Sequence, residues 1–350
     1  MTPRHLLPAC LLACDPVGPR VLSGDHIDIV LDPGVEPCGD LVAHMDRFIA
    51  LVADRWHVDL ADQRYSFHWY APNSFLVDAG CPAGTAGCAH PTLASAASAP
   101  LDHELVHLVS FAVGRPPPFF IEGAAVAFEL TNTLVPGDVL PGTAYIQGLL
   151  TADPLPADAY PLAGAYTRFL IDRHGLPAYL DFYASMDRSA DPSEVAAVHA
   201  DLFAEPIAAT IAAFDAERRA CDFARFNFKL FECSGDPLAW DEHSLVVRRD
   251  LACDADDVVG PFYYGRESRL YAAFDLTTPG AFTLSLASDP GGAALTLGAC
   301  GGCDSAAPVT VRAGAGPQRI DLAAGRHYLL LTGSAAQDVT AALHLERVPD

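Results

Sequence analysis

Lysine is almost absent from this chain of 350 residues: Lys229 is the only one among 21 basic residues, set against 44 acidic ones for a formal net charge of −23. A surface of that sign repels nucleic acid and gains nothing from counterion release, so nucleic-acid binding is excluded as a function. The scarcity of lysine goes with an abundance of Ala, Pro, Asp and Gly and reflects a GC-rich gene; it carries no mechanism. No apolar run reaches the roughly 18 residues that a membrane-spanning helix needs. Charged residues make up 19% and hydrophobic ones 51%, the reverse of a disordered chain. There is no GxGxxG, no P-loop and no GxSxG around Ser110, which removes the usual nucleotide and serine-nucleophile signatures. Internal repeats and long low-complexity tracts are lacking too. The length is large for a single core and suits two domains.

What is present begins with a leader. Arg4 and His5 precede an apolar stretch, Leu6 to Ala13, and Leu11-Leu12-Ala13-Cys14 resembles a bacterial lipobox. The expectation is export, with residues 1–14 as the signal and a lipid on Cys14 as the only membrane contact; secretion after ordinary cleavage is the alternative. Ten cysteines support export. With Cys10 removed and Cys14 lipidated, eight remain, an even number suited to disulfides. They divide as Cys38, Cys81, Cys88 and Cys221 around a first domain and Cys233, Cys253, Cys300 and Cys303 in a second. Cys81 and Cys88 enclose a Gly/Ala/Pro loop and form a plausible local pair. A structural zinc site on the second set of four is the alternative use of those thiols. The CxxC at 300–303 lies in a Gly-rich turn, a poor context for redox chemistry.

Strands are expected at His26–Leu31 and Tyr65–Tyr70, with an edge strand of small residues at Thr92–Ser98. Leu41, Met45, Phe48, Ile49 and Val52 recur at helical spacing within 39–55. Further helices are expected from about Pro100, over 120–130, and near 161–174, 176–186, 192–204 and 206–220. From about residue 240 seven short β-like runs separated by Pro-Gly and Asp-Pro-Gly turns predict a β-sandwich. The division is a first domain at 25–220, a connecting segment at 221–240 whose aromatic run Phe223–Phe231 forms a seam, and a sandwich at 241–350.

His103-Glu104-Leu105-Val106-His107 is HExxH. On a helix the two imidazoles, four residues apart, project from nearly one face and can share a zinc ion, while the Glu104 carboxylate reaches a metal-bound water. With 13 His and 11 Glu in 350 residues, composition alone gives about 0.015 such matches per chain, so coincidence is a weak explanation. Fourteen residues separate His107 from Glu122-Gly123-Ala124-Ala125. A catalytic zinc takes three protein ligands and leaves a position open, and His103, His107 and Glu122 make one such set. Glu122 would open a second helix, with Gly123 and Ala124 letting it approach the first.

With these two motifs the chain resembles the gluzincin metallopeptidases, in which HExxH is followed by a glutamate in an EGxA-like context on the next helix. The resemblance covers roughly 25–220 and is specific at those motifs. It implies an α+β architecture: a zincin-like domain of a small twisted sheet plus helices, followed here by an all-β sandwich like the accessory domains of secreted bacterial proteases. It also implies a tyrosine that stabilises the oxyanion. Tyr160 and Tyr166, in Tyr160–Leu170, are the two candidates. His68, His90 and His174 are not expected to be ligands. Asp102 and Glu129 could support the metal ligands, although solvated carboxylates are the simpler expectation in so acidic a chain.

The function expected is an exported zinc metallopeptidase acting on peptide or protein substrates, with Glu104 as general base. The absence of an amino-terminus-binding motif favours endopeptidase action. A non-catalytic surface lipoprotein that keeps the zinc site, or an adhesion module built on the sandwich, is the rival; an intact Glu104 argues against the first and the lack of a binding signature against the second.

Overall fold

A computed structural model describes residues 18–71, 79–82, 84–129, 143–218, 229–241, 243–262, 266–301 and 307–349. The leader with Cys10 and Cys14, Cys221, Cys303, and residues 223–228 of the aromatic run lie outside the described residues.

Ile27, Ile29 and Leu31 alternate with less buried neighbours and are at most 1% exposed, the pattern of a strand with one face on a core. They form β2 (Ile27–Leu31) in a five-stranded sheet with β1 (Arg20–Ser23), β3 (Tyr65–Trp69), β4 (Gly87–His90) and β5 (Leu93–Ala96), in the order β1-β2-β3-β5-β4. The central pairs β2–β3 and β3–β5 are parallel; β1 and β4 join as antiparallel edges. The small residues of 92–98 therefore build an interior strand, and the edge is β4, which the sequence pattern did not indicate.

Helix α1 (Leu41–Trp56) crosses between β2 and β3 and buries the apolar stripe foreseen at helical spacing. Seven more helices follow among the described residues: α2 (Asp102–Ser110), α3 (Pro118–Phe128), α4 (Thr143–Leu149), α5 (Tyr160–His174), α6 (Leu176–Ala184), α7 (Pro192–Phe203) and α8 (Ile207–Arg218). Several start with proline in the first turn, where its missing N–H costs nothing, and α7 opens with a capping box between Asp191 and Glu194. One core joins the sheet to these helices and includes Phe231 at its far end.

The C-terminal part is β-rich. One sheet runs β11-β10-β13-β8-β7, the other β12-β9-β14-β6, and every pairing is antiparallel. Their ranges are β6 (Ser244–Asp250), β7 (Val259–Pro261), β8 (Glu267–Leu276), β9 (Gly280–Asp289), β10 (Ala294–Ala299), β11 (Val309–Arg312), β12 (Gln318–Leu322), β13 (Gly325–Ser334) and β14 (Thr340–Arg347). Leu284, Leu286, Leu343 and Leu345 from one sheet meet Leu295, Leu297, Leu329 and Leu331 from the other in a second core, the two-residue alternation of a sandwich. The seven expected strands are all present, with β6 and β7 in addition. Helices, a mixed sheet and this β-rich half make the fold α+β.

Three disulfides join described cysteines: Cys81–Cys88, Cys233–Cys300 and Cys38–Cys253. The first is the expected local pair. The third corrects the expected four-and-four division, because the segment before α1 lies against residues 253–260 and brings Cys38 to Cys253. There, Gly39 N donates to the Cys253 carbonyl (2.8 Å) and Asp40 N to the Val258 carbonyl (3.1 Å). Disulfide bonding of Cys233, Cys253 and Cys300 also removes the thiolates that a four-cysteine zinc site would need. Disulfides persist in oxidising compartments, which points to an exported or extracellular protein.

Candidate metal centre

The sequence Asp102–Ser110 folds as a helix whose back is apolar except for Asp102. Leu105, Val106, Leu108 and Val109 are 0% exposed, each worth about 1.5–3 kcal/mol when buried, and they fix the rotation of α2 so that its histidines line the cleft. Gly114 and the prolines at 116–118 then stop the helix and turn the chain into α3. That helix is buried almost all round; Glu122 is its one half-buried residue and projects toward α2.

His103 Nε2 lies 3.0 Å and His107 Nε2 3.2 Å from the same oxygen, Glu122 Oε2. The three candidate ligand atoms all fall within 4.8 Å of one another, and no other group of three such side chains is found among the described residues. On its far side His103 Nδ1 is 3.1 Å from Glu129 Oε2. With Nδ1–H donating to Glu129, Nε2 turns its lone pair to the common point, the arrangement in which a carboxylate orients a metal-binding histidine.

Burial opposes a charge on His103, yet its bonds to Glu122 and Glu129 raise it well above the usual imidazole range. Burial would raise Glu122; the neighbouring His107 and the bonds from both imidazoles hold it far below the usual carboxylate range. With Nδ1–H of His103 on Glu129, the Nε2 atoms of His103 and His107 and one oxygen of Glu122 present three donor atoms within 4.8 Å of one another. The donor set therefore fits a metal ion.

Glu104 is 5% exposed, and its Oε2 has no hydrogen-bond partner. Burial raises its carboxyl above the ordinary value, against the pull of His107 and His103. Gly87 of β4 sits beside it: a Cβ there would lie 2.9 Å from the Ser95 carbonyl oxygen and 3.1 Å from Glu104 Oε1. A cleft of about 730 Å³ opens over these groups, bounded by β4, by Phe111 and Arg115 beyond α2, and by Tyr160.

The two tyrosines part company. Tyr160, at the start of α5, lines the cleft and stacks on His103 with ring centroids 5.9 Å apart and planes 8° from parallel. Burial, then the charges of Glu122 and Glu104, keep its phenol protonated. Tyr166 is 0% exposed among Phe119, Phe169 and Phe214 and does not reach the cleft, because six residues along α5 turn it to the core side.

Glu129 and Asp102 are not solvated. Glu129 is 5% exposed and meets His103; Asp102 is 1% exposed and pairs with His44 Nε2 at 3.1 Å. A signal for Glu129 was available, since seven residues after Glu122 is two helical turns and the same side. His44 had none: its partner is 58 positions away. Gly123 does allow a close approach, but to α5 and not to α2: a Cβ on it would lie 2.7 Å from the Ala163 carbonyl oxygen. Of the histidines set aside, His90 borders the cleft, His68 lies in β3 and His174 faces Glu205 at 3.2 Å; none belongs to the group of three.

No family model and no curated protein matches the chain. Among solved structures it is similar to a carbohydrate-binding module from Cellvibrio mixtus lichenase 5A in complex with cellotriose, at 17% identity over 30% of this chain and 88% of that one, TM-score 0.18. It is also similar to a family GH115 4-O-methyl-α-glucuronidase with specificity for decorated arabinogalactans, at 13% identity over 71% of this chain and 39% of that one, TM-score 0.18. At these scores neither likeness bears on the fold or the chemistry.

Proposed function

We propose that the chain is an exported zinc-dependent peptidase, zincin-like over residues 25–220 and carried at the cell envelope by a lipid on Cys14. One observation carries the catalytic part: ligand atoms of His103, His107 and Glu122 lie within 4.8 Å of one another beside Glu104, whose Oε2 has no hydrogen-bond partner. Ligands about 2.0–2.1 Å from a tetrahedral zinc lie about 3.3 Å apart; the two imidazoles stand 3.0 and 3.2 Å from the Glu122 oxygen. When bound, zinc supplies Lewis acidity, polarising a scissile carbonyl and acidifying a water.

Each residue then has a task. Glu104 Oε2 accepts the proton of the attacking water and returns it to the leaving amine. Its raised affinity for protons suits that two-way role. Tyr160 offers its phenolic proton to the oxyanion. Glu129 holds His103 in one tautomer. Among the described residues no strand pairs with the outer side of β4, which lines the cleft, so an extended peptide can add there as a further strand. This last feature supports a peptide substrate and endopeptidase action.

The test is hydrolysis of an unstructured protein by the purified chain before chelation, after chelation and after zinc is restored. Activity lost and regained with about one zinc per chain is the expected result. Zinc bound with no hydrolysis of any substrate would favour a non-catalytic protein that keeps the site; no zinc bound would remove the proposal.

A further inference from the structure

The four-residue spacing of His103 and His107 does not end with α2. Phe111 and Arg115 occupy the next two steps. The His107 and Phe111 rings lie 5.6 Å apart and 8° from parallel. The Arg115 guanidinium carbon stands 4.9 Å from the centre of the Phe111 ring. A column of stacked side chains thus runs from a metal ligand to a cation on the cleft wall, and the cation–π contact holds an otherwise long and mobile side chain in place.

The charge of this arginine is conspicuous where it sits. The same cleft holds Glu104, Glu122 and Glu129, in a chain of net charge −23, so a substrate carboxylate entering it meets three acidic side chains. Arg188, the other arginine lining the cleft, spends its fork on Asp153 in two bonds of 3.0 Å. No described carboxylate pairs with Arg115, which is exposed to the cleft.

We propose that Arg115 is a specificity-determining residue that receives a substrate carboxylate, either an Asp or Glu side chain or a terminal carboxylate, close to the bond cut at the metal centre. The proposal rests on the peptidase reading above. A guanidinium presents a planar fork that matches a carboxylate with two parallel bonds. Two ring steps of 5.6 and 4.9 Å place it no more than about 10.5 Å from the His107 ring, roughly three residues of extended peptide.

The test uses fluorescently labelled decapeptides with amidated C-termini that carry one Glu, or Gln in its place, at successive positions, and a neutral peptide with a free C-terminal carboxylate beside its amide. Cleavage by the zinc-loaded wild type gives kcat/KM; anisotropy with zinc-loaded Glu104→Gln gives affinity without turnover. Acid should be preferred over its neutral isostere by about 10-fold in both readouts, at one position or at the terminus, which tells the two carboxylate sources apart. Arg115→Ala should bring that ratio near one, Arg115→Lys should keep part of it, and Arg188→Ala should keep all of it. A ratio near one at every position and terminus in the wild type, or one that survives Arg115→Ala, overturns the proposal. Peptides bound with the acid preference yet never cut would contradict the peptidase reading and leave Arg115 as a carboxylate site. Peptides cut without the preference would contradict Arg115 alone, and peptides neither bound nor cut would contradict both.

Discussion

The proposed metal site depends on Glu129, a residue that would touch no metal. Its carboxylate fixes the far nitrogen of His103, and loss of such an orienting partner typically weakens metal binding 10–100-fold. Glu129→Ala should therefore raise the zinc Kd by about that factor in a titration against a chromophoric chelator; an unchanged Kd would show that His103 is held by packing alone. At this scale the grouping of His103 and His107 was legible in the sequence because their spacing is local: the two share a helix face by periodicity alone. Glu129 and Asp102 were misjudged because partners decide whether an acidic residue is solvated. Those partners, His103 and His44, come from other elements. Tyr160 and Tyr166 could not be separated by composition; the rotation of α5 relative to α3 separates them.

Helices α3 and α5 press together through reciprocal glycines. Gly123 faces Ala163 and Thr167, and Gly164 faces Val126. An added methyl at Gly123 meets backbone that cannot step aside, and overpacking of this kind costs about 1–3 kcal/mol. Gly123→Ala should lower the Tm and weaken zinc binding, since Glu122 is the adjacent residue. Gly148→Ala is the control: nothing lies within 4 Å of a Cβ there, and alanine in an exposed helix is favoured by up to about 1 kcal/mol. Equal effects from the two would mean that the α3–α5 contact is looser than described. The same physics explains which elements could be read beforehand. Long amphipathic helices such as α1 announce themselves through their period. Strand β4, Gly-Cys-Ala-His, has no β-branched or large apolar residue; it is a strand because β5 pairs with it and the Cys81–Cys88 bond closes the loop before it.

Over the whole molecule, α2 is tied to the β-rich C-terminal part through α1. Cys38 and Cys253 close a loop of 215 positions just ahead of that helix. His44, one turn into α1, packs against Phe231 and Tyr271 on one side and bonds Asp102, the first residue of α2, on the other. Removing a native disulfide typically costs about 2–5 kcal/mol. The double variant Cys38→Ala/Cys253→Ala should melt several degrees lower yet keep its zinc when folded; an unchanged Tm would show that the surrounding contacts make the bond redundant. This link was invisible in the sequence. Cysteine counts imply disulfides but not their connectivity, and a change of texture near residue 240 suggested two sets of bonds where the chain makes one that crosses between them.

The central claim is that Glu104 moves a proton beside a metal held by His103, His107 and Glu122. Glu104→Gln preserves shape and hydrogen bonding but cannot take the water proton. Turnover of one peptide substrate should be measured on wild type and Glu104→Gln at equal, verified zinc content. The account predicts a loss of about 10²-fold or more with zinc and folding retained. A full rate in the Gln variant would contradict it, whatever metal the protein carries.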